Sequence, residues 1–388
     1  MTLVERRSHV RESRRRVILV AILLGLPLAA CGGSDAERGN GPGPGSTTTA
    51  AGAERENEGL SAFSGDIVLV NCSSTVVSVD PDTGGKTRRQ FLSNERDHRC
   101  ESPPGLLRGR FNKDFTRFTA GSLSFYQWRP GGVEEVDVSA RSGTTGAFDK
   151  PRVSKFVQFR PGTDEIWFVD ASDESNLKLA STAADGGPIV DRGPYPTPKT
   201  RAQFSDNTSP FVLVTRGDQV VVLVGDEPVL ANPAGTLAIG PGTTATDQPL
   251  KVWNLTGKQL VDIEGAGEKV AGTEDCYPRS WVDDLRFVCT VDRRGGGDFS
   301  TLRLGVFAPD FRSVTYRDLL PRAQRVATWA VASPDGKEVA FVLMATSIQQ
   351  PEAMFRLGLE PGVAPRQVDG YDHRDSYVPV TAVWQIPT

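Results

Sequence analysis

Histidine is almost missing from this chain, with three in 388 residues, and methionine is as rare. Beyond residue 30 only His98 and His373 remain, and the five cysteines include no Cys-x-x-Cys pair. A transition-metal centre draws on clustered imidazole and thiolate ligands, so the reading is that no metal ion and no cofactor is held. No Gly-x-Ser-x-Gly elbow occurs, which removes the usual signature of a serine hydrolase. No apolar run reaches the roughly 20 residues of a membrane-spanning helix. Lysine is scarce as well, and most of the 44 basic side chains are arginines.

The longest apolar run, from Val17 to Ala30, follows a block made of Arg6, Arg7, Arg11, Arg14, Arg15 and Arg16. A basic region before a short apolar segment reads as a signal peptide. Its ending, Leu28-Ala29-Ala30-Cys31, resembles the bacterial lipobox, which implies that Cys31 is acylated and becomes the first residue of the mature protein. Ser13-Arg14-Arg15-Arg16-Val17 also resembles a twin-arginine export motif, so both general and twin-arginine export stay open. Residues 31–60 are rich in Gly, Ser, Thr and Pro with almost no large apolar side chain, a composition that cannot bury enough surface to fold. They read as a tether, which leaves residues 61–388 as the folded part. The expected location is extracytoplasmic, on the cell membrane, held by the lipid.

Removing residues 1–30 takes six arginines and two glutamates from the 44 basic and 48 acidic side chains, leaving 38 and 46, a net charge of −8. That balance argues against a nucleic-acid partner. Four cysteines remain after Cys31, and in an exported chain disulfides are the default. They allow three pairings; proximity in sequence favours Cys72 with Cys100 and Cys276 with Cys289.

Short apolar segments separated by Gly, Pro, Asp and Asn predict an all-β chain: Asp66 to Asn71, Thr75 to Asp80, Glu165 to Asp170, Phe211 to Thr215, Gln219 to Val224, Leu285 to Val291 and Glu338 to Met344. One strand-turn-strand unit recurs. Its clearest copy is Ala332-Ser333-Pro334-Asp335-Gly336-Lys337-Glu338-Val339, where Pro-Asp-Gly makes a tight turn. Phe159-Arg160-Pro161-Gly162-Thr163-Asp164-Glu165-Ile166 is a second, and Phe111-Asn112-Lys113-Asp114-Phe115-Thr116 a third. Phe204-Ser205-Asp206, Ile239-Gly240-Pro241-Gly242, Trp281-Val282-Asp283-Asp284 and the terminal Trp384 continue the series. Spacings of this size predict a β-propeller with four strands per blade, seven blades or alternatively six. The unit around Ile239 is the doubtful one, because its second strand would fall in the polar segment Thr243 to Asp247. Asp80 to Lys86 and Asn254 to Lys258 read as turns leading to outermost strands. Trp384 opens a unit that no chain remains to finish, so the C-terminal strand is expected to complete the N-terminal blade.

The Ser-Pro-Asp-Gly-Lys copy and its relatives resemble the propeller repeats of TolB-like proteins. That resemblance implies a rigid extracytoplasmic scaffold that binds protein or ligand and usually does no catalysis. TolB-like chains carry an α/β domain ahead of the propeller, and here the tether stands in its place.

Asp170, Asp173 and Asn176, and Asp80 with Asp82, do not follow a calcium-loop spacing and read as turn residues. Trp281, Trp329 and Trp384, near innermost strands, read as core. Basic residues precede the innermost strand of several units: Arg110 with Arg108, Lys155, Arg201 with Lys199, Arg279 and Arg325. Placed around one mouth of the channel, Arg110, Lys155, Arg201, Arg279 and Arg325 would form a positive funnel for phosphate or carboxylate groups. The expected function is a monomeric, lipid-anchored binding scaffold for a protein partner or an anionic envelope ligand, without catalytic residues. A propeller enzyme of the lyase, lactonase or glycosidase type is the alternative.

Overall fold

The computed structural model describes residues 63–71, 74–91, 108–119, 123–129, 132–137, 154–173, 175–196, 210–225, 228–240, 250–263, 267–270, 276–292, 300–320, 326–344, 352–371 and 380–386. Their strands fall into seven sheets. The first blade contains β1 (Ile67–Asn71), β2 (Thr75–Val79) and β3 (Lys86–Gln90), and the second β4 (Arg117–Thr119), β5 (Ser124–Arg129) and β6 (Gly132–Asp137). The third is formed by β7 (Ser154–Phe159), β8 (Glu165–Asp170), β9 (Lys178–Ala183) and β10 (Val190–Pro194). The fourth starts as the hairpin of β11 (Phe211–Arg216) and β12 (Gln219–Val224). The chain then lays down β13 (Leu230–Ala231), β14 (Leu237–Gly240) and β15 (Lys251–Asn254) of the fifth blade. It returns with β16 (Leu260–Asp262) to pair parallel with β12, and finishes the fifth blade with β17 (Glu268–Lys269). The sixth holds β18 (Cys276–Trp281), β19 (Arg286–Asp292), β20 (Ser300–Phe307) and β21 (Val314–Asp318). The seventh holds β22 (Val326–Ala332), β23 (Glu338–Met344), β24 (Ala353–Gly358) and β25 (Arg366–Val368). Last, β26 (Val380–Trp384) joins the first blade beside β1. The fold is a seven-bladed β-propeller.

The strands that form blade centres are continuous apolar runs because both of their faces are buried. Ile67 and Leu69 of β1 pack toward the seventh blade with Trp329, Val331 and Met354, while Val68 and Val70 pack toward the second with Phe111 and Phe118. Ile166 and Phe168 of β8 likewise face one neighbour, and Trp167 and Val169 the other. Seven apolar clusters result, one at each blade interface.

The turn that follows the innermost segment of a blade, which in the second blade is Phe111 bridged to Phe118 of β4, recurs with one hydrogen-bond plan. Asn112 Oδ1 accepts from the amides of Thr116 and Arg117 at 2.9 and 3.0 Å, and Asn232 Oδ1 accepts from Thr236 and Leu237 at the same distances. Ser333 Oγ does the equivalent for Glu338 at 2.9 Å. The left-handed position is Gly162, Gly235 or Gly336 in three blades, with φ of 75°, 63° and 67°, but Phe115 in the second, with φ of 53°. A bulky residue there is backbone strain, held because the Phe115 ring is fully buried in the interface with the first blade.

These turns correct the expected phase in the middle of the chain. The copy in the fifth blade is Asn232-Pro233-Ala234-Gly235-Thr236, and Ile239 lies inside β14. The strand paired to β14 is β15, from Lys251 to Asn254; Thr243 to Asp247 lies outside the described residues. Asn254 to Lys258 leads not to an outermost strand of its own blade but across to β12. Phe204 is outside the described residues as well, and the first hairpin of the fourth blade turns at Gly217-Asp218.

Arginines tie six of the seven neighbouring pairs of blades on the face that carries these turns. Arg89 donates to Phe115 O at 3.2 Å, Arg117 to Asp185 at 2.7 Å, Arg160 to Asp218 O at 3.1 Å and Arg216 to Leu255 O at 2.7 Å. Arg317 reaches Leu359 O, and Arg356 reaches Asp82. A planar guanidinium meets a neighbour's carbonyl or carboxylate with several donors at fixed angles, which an ammonium does not. The ring closes through β26, whose Trp384 lies opposite Ile67 and donates from Nε1 to Gly65 O at 3.0 Å. Gln385 N adds a bond to Asp66 O at 2.9 Å.

Cys276 and Cys289 form a disulfide across β18 and β19, with Cα atoms 5.6 Å apart. Such a bond belongs to chains that fold in an oxidising compartment. Cys31, Cys72 and Cys100 lie outside the described residues.

Candidate functional site

The innermost segments of the blades come together through side chains. Gln158 on β7 is buried; its Nε2 donates to Phe211 O on β11, and a Cβ on Gly109 in the second blade would sit 2.6 Å from its Oε1. Gln158 therefore reaches both neighbouring blades, and glycine at 109 is what permits the approach. Trp281 Nε1 donates to Leu230 O at 2.9 Å, joining the sixth blade to the fifth, and Ser280 Oγ accepts from Ala332 N at 3.1 Å, joining it to the seventh. Trp281 and Trp329 are buried in interface clusters and Trp384 is partly buried, as core residues.

Three innermost strands share one irregularity. The register slips between Lys155 and Gln158 in β7, between Pro278 and Ser280 in β18, and between Ala327 and Ala330 in β22. Each slip inserts one extra residue, and a bulge of that kind re-aims side chains. In β18 the extra residue is Arg279. Its guanidinium lies 4.5 Å from the centre of the Tyr277 ring, and its Nε donates to Thr290 Oγ1 at 2.9 Å.

The basic residues expected around the mouth are placed as follows. Lys155 and Arg279 belong to innermost strands, beside or within their bulges, rather than to loops ahead of them. Arg110 is half-buried next to Phe111, and its carbonyl accepts from Thr119 N at 2.9 Å. Arg201 and Arg325 lie outside the described residues. Arg108 is built into an interface. Its Nη1 donates to Phe111 O at 2.8 Å and Asn112 O at 3.3 Å, and it stacks 4.4 Å from the Phe115 ring centre. Burial pushes its pKa down to about 10. Gln158, Tyr277 and Thr290 carry no sequence signal, because their roles depend on bulges and on neighbouring blades.

A polar cleft of about 330 Å³ lies on the third blade, lined by Asp170, Asp173, Asn176, Lys178 and Asp191 among others. Its acids are engaged locally. Asp170 Oδ1 accepts from Ser172 N and Oγ, Asp173 Oδ1 from Ser175 N and Oγ, and Asp191 pairs with Lys178 at 3.0 Å. Asp80 similarly caps its turn by accepting from the amides of Asp82 and Thr83. Among the described residues no group of acids, histidines and cysteines is placed to hold a metal ion.

No protein-family model and no curated protein matches the sequence. Similar solved structures include TolB from Acinetobacter baumannii, with 11% identity, a TM-score of 0.32, and coverage of 80% of this chain and 54% of that one. A TolB structure from Agrobacterium tumefaciens has 11% identity and a TM-score of 0.36, over 82% of this chain and 96% of the other. The propeller domain of the trilobed protease from Pyrococcus furiosus has 10% identity and a TM-score of 0.32, over 79% and 82%. The chain spans about half the length of the first of these proteins. The likenesses concern the propeller fold, and at these scores no activity, substrate or partner follows from them.

Proposed function

We propose that this chain is a lipid-anchored, extracytoplasmic propeller that binds an anionic envelope ligand at its innermost strands and performs no chemistry of its own. The observation that carries this reading is Arg279, a basic side chain set into a bulge of an innermost strand. The ring around it is closed at every interface by apolar clusters, most of them reinforced by arginine bonds, which suits a scaffold that presents groups without moving them. The disulfide supports export, and the Leu28-Ala29-Ala30-Cys31 ending supports the anchor.

The anchor is tested by Cys31→Ser, which is expected to move the protein out of the membrane fraction, since lipid chains are the only attachment proposed. Full retention of that variant in membranes would overturn the lipid anchor. The binding reading is tested by calorimetric titration of the mature protein with phosphorylated and carboxylated envelope compounds at low salt. Binding that weakens as salt screens the charges is expected; absence of any heat across the panel would refute it.

A further inference from the structure

β16 belongs to one blade by sequence and to another by pairing. β15 and β17 are hydrogen-bonded neighbours in the fifth blade, with Val252 opposite Glu268, so the chain between them is a loop of that blade. The middle of that loop, β16, is the third strand of the fourth blade. The crossing is pinned at each step. Arg216 Nη1 of β11 donates to Leu255 O at 2.7 Å where the chain leaves. Val222 N donates to Gln259 O at 2.8 Å and Ile263 N to Val224 O at 2.9 Å, just before and just after the paired residues. On its return the chain passes over the Trp253 ring, close enough that a Cβ on Gly267 would sit 2.9 Å from it.

A parallel pair of three residues is weak by its backbone bonds alone. The side chains hold it. Leu255 and Ile263 are fully buried and Val261 is buried, in the cluster that joins Leu223 of β12 to Ala238 and Trp253 of the fifth blade. Leu260 and Asp262, on the other face of the strand, are exposed. Parting the fourth blade from the fifth therefore requires β16 to leave β12, and β16 cannot leave without uncovering the same apolar cluster. We infer that β16 is a clasp that makes the fourth and fifth blades open as one unit, a second lock on the ring besides the closure by β26. It holds whether or not the ring binds an anion.

Hydrogen exchange of the full mature chain, read at single-amide resolution, tests the clasp. In wild type the amides of Val222 and Ile263, which bond across the β12–β16 pair, are expected to show the same protection as those of β14 and β15. Val261→Ala removes the branched methyls from the buried face and leaves the backbone pairing possible. It should speed exchange about tenfold or more in β12 and in β14 and β15 alike, with β1, β19 and β26 unchanged. Leu260→Ala, on the exposed face, should leave all of them as they are; an equal acceleration there would overturn the assignment of the lock to the buried face. If Ile263 exchanges far faster than β14 in wild type, β16 is a surface loop and the clasp is refuted, whether or not Val261→Ala folds. Acceleration confined to residues 255–263 in Val261→Ala would refute it too, and acceleration in the fourth blade without the fifth would show that the two open separately.

Discussion

Replacing Arg356 by methionine should loosen the seam where the propeller closes. Arg356 sits on β24 of the seventh blade with its side chain 11% exposed. Its Nε donates to Glu338 Oε2 at 3.0 Å and a second bond runs from Nη2 to the same oxygen. Nη1 reaches across to the first blade, to Pro81 O at 3.1 Å and to the Asp82 carboxylate. The guanidinium also lies 5.3 Å from the centre of the Trp384 ring, on the closing strand. Methionine keeps the bulk of the stem and removes every one of these contacts. The partly shielded bonds to Glu338 are worth about 2 kcal/mol together. Asp82 is 72% exposed, so its bond is a surface pair worth at most about 0.5 kcal/mol. The ring contact adds about 0.5 kcal/mol. A loss of about 3 kcal/mol is therefore expected, and it should be local. Hydrogen exchange followed by peptide mass analysis reads this directly: amides of β26 and β1 should lose protection by about two orders of magnitude, while those of β19 change little. An equal loss of protection over all blades, or none at β26, would refute the claim that Arg356 latches the closure.

Three further outcomes are expected. The Cys276→Ser/Cys289→Ser variant should lose about 3 kcal/mol on the chain-entropy model for a separation of 13 residues, read as a lower melting temperature; an unchanged melt would show that the strand pairing alone holds this site. Gly305→Ala would place a Cβ 2.5 Å from the Phe287 ring, which is buried among Trp281, Phe307 and Tyr316. Overpacking of that kind should cost about 1–3 kcal/mol in denaturant unfolding, and a neutral result would mean the interface yields. At Glu165, burial pushes the carboxyl up, but bonds from Ser181 and Arg160 and the charge of Arg192 outweigh burial and hold it below the ordinary carboxylate value. A carboxyl depressed in the folded state adds stability above its unfolded value and loses it as pH falls through the folded one. The advantage of wild type over Glu165→Gln should thus be full at neutral pH and fade as pH falls below the ordinary glutamate value of about 4.3. Melting temperatures of both proteins across that range check it, and a difference that grows on acidification would contradict it.

The blades whose turns carry proline or glycine between two apolar runs are legible in the sequence, because turn chemistry and strand patterning are local. Runs such as Ile67 to Val70 also declare strands buried on both faces. The closure by Trp384 follows from counting units. The fourth and fifth blades resist for a physical reason. The chain leaves the fourth blade after two strands and returns only at β16, a three-residue strand whose parallel partner β12 lies almost forty residues back. Nothing local marks that choice. Ile239-Gly240-Pro241-Gly242 imitates a turn copy more closely than Asn232-Pro233-Ala234-Gly235-Thr236 does, yet the true turn is set by the Asn232 side chain, whose bonds repeat those of Asn112. A search for Asn followed four residues later by Thr would have found both.

The arginines show the same limit from another side. Their excess over lysine is visible in the composition, but whether one of them faces a ligand or ties two blades is decided by the neighbouring blade. Arg108, next to a funnel candidate in sequence, donates to Phe111 O and Asn112 O and supports the Phe115 ring, so its charge is committed to an interface. Arg279 is gripped by Tyr277 and Thr290 of its own blade, and the interfaces on either side of it are bridged by Trp281 and Ser280. Where Trp281 and Ser280 already join the sixth blade to both neighbours, the bulge that carries Arg279 is held in place from both sides.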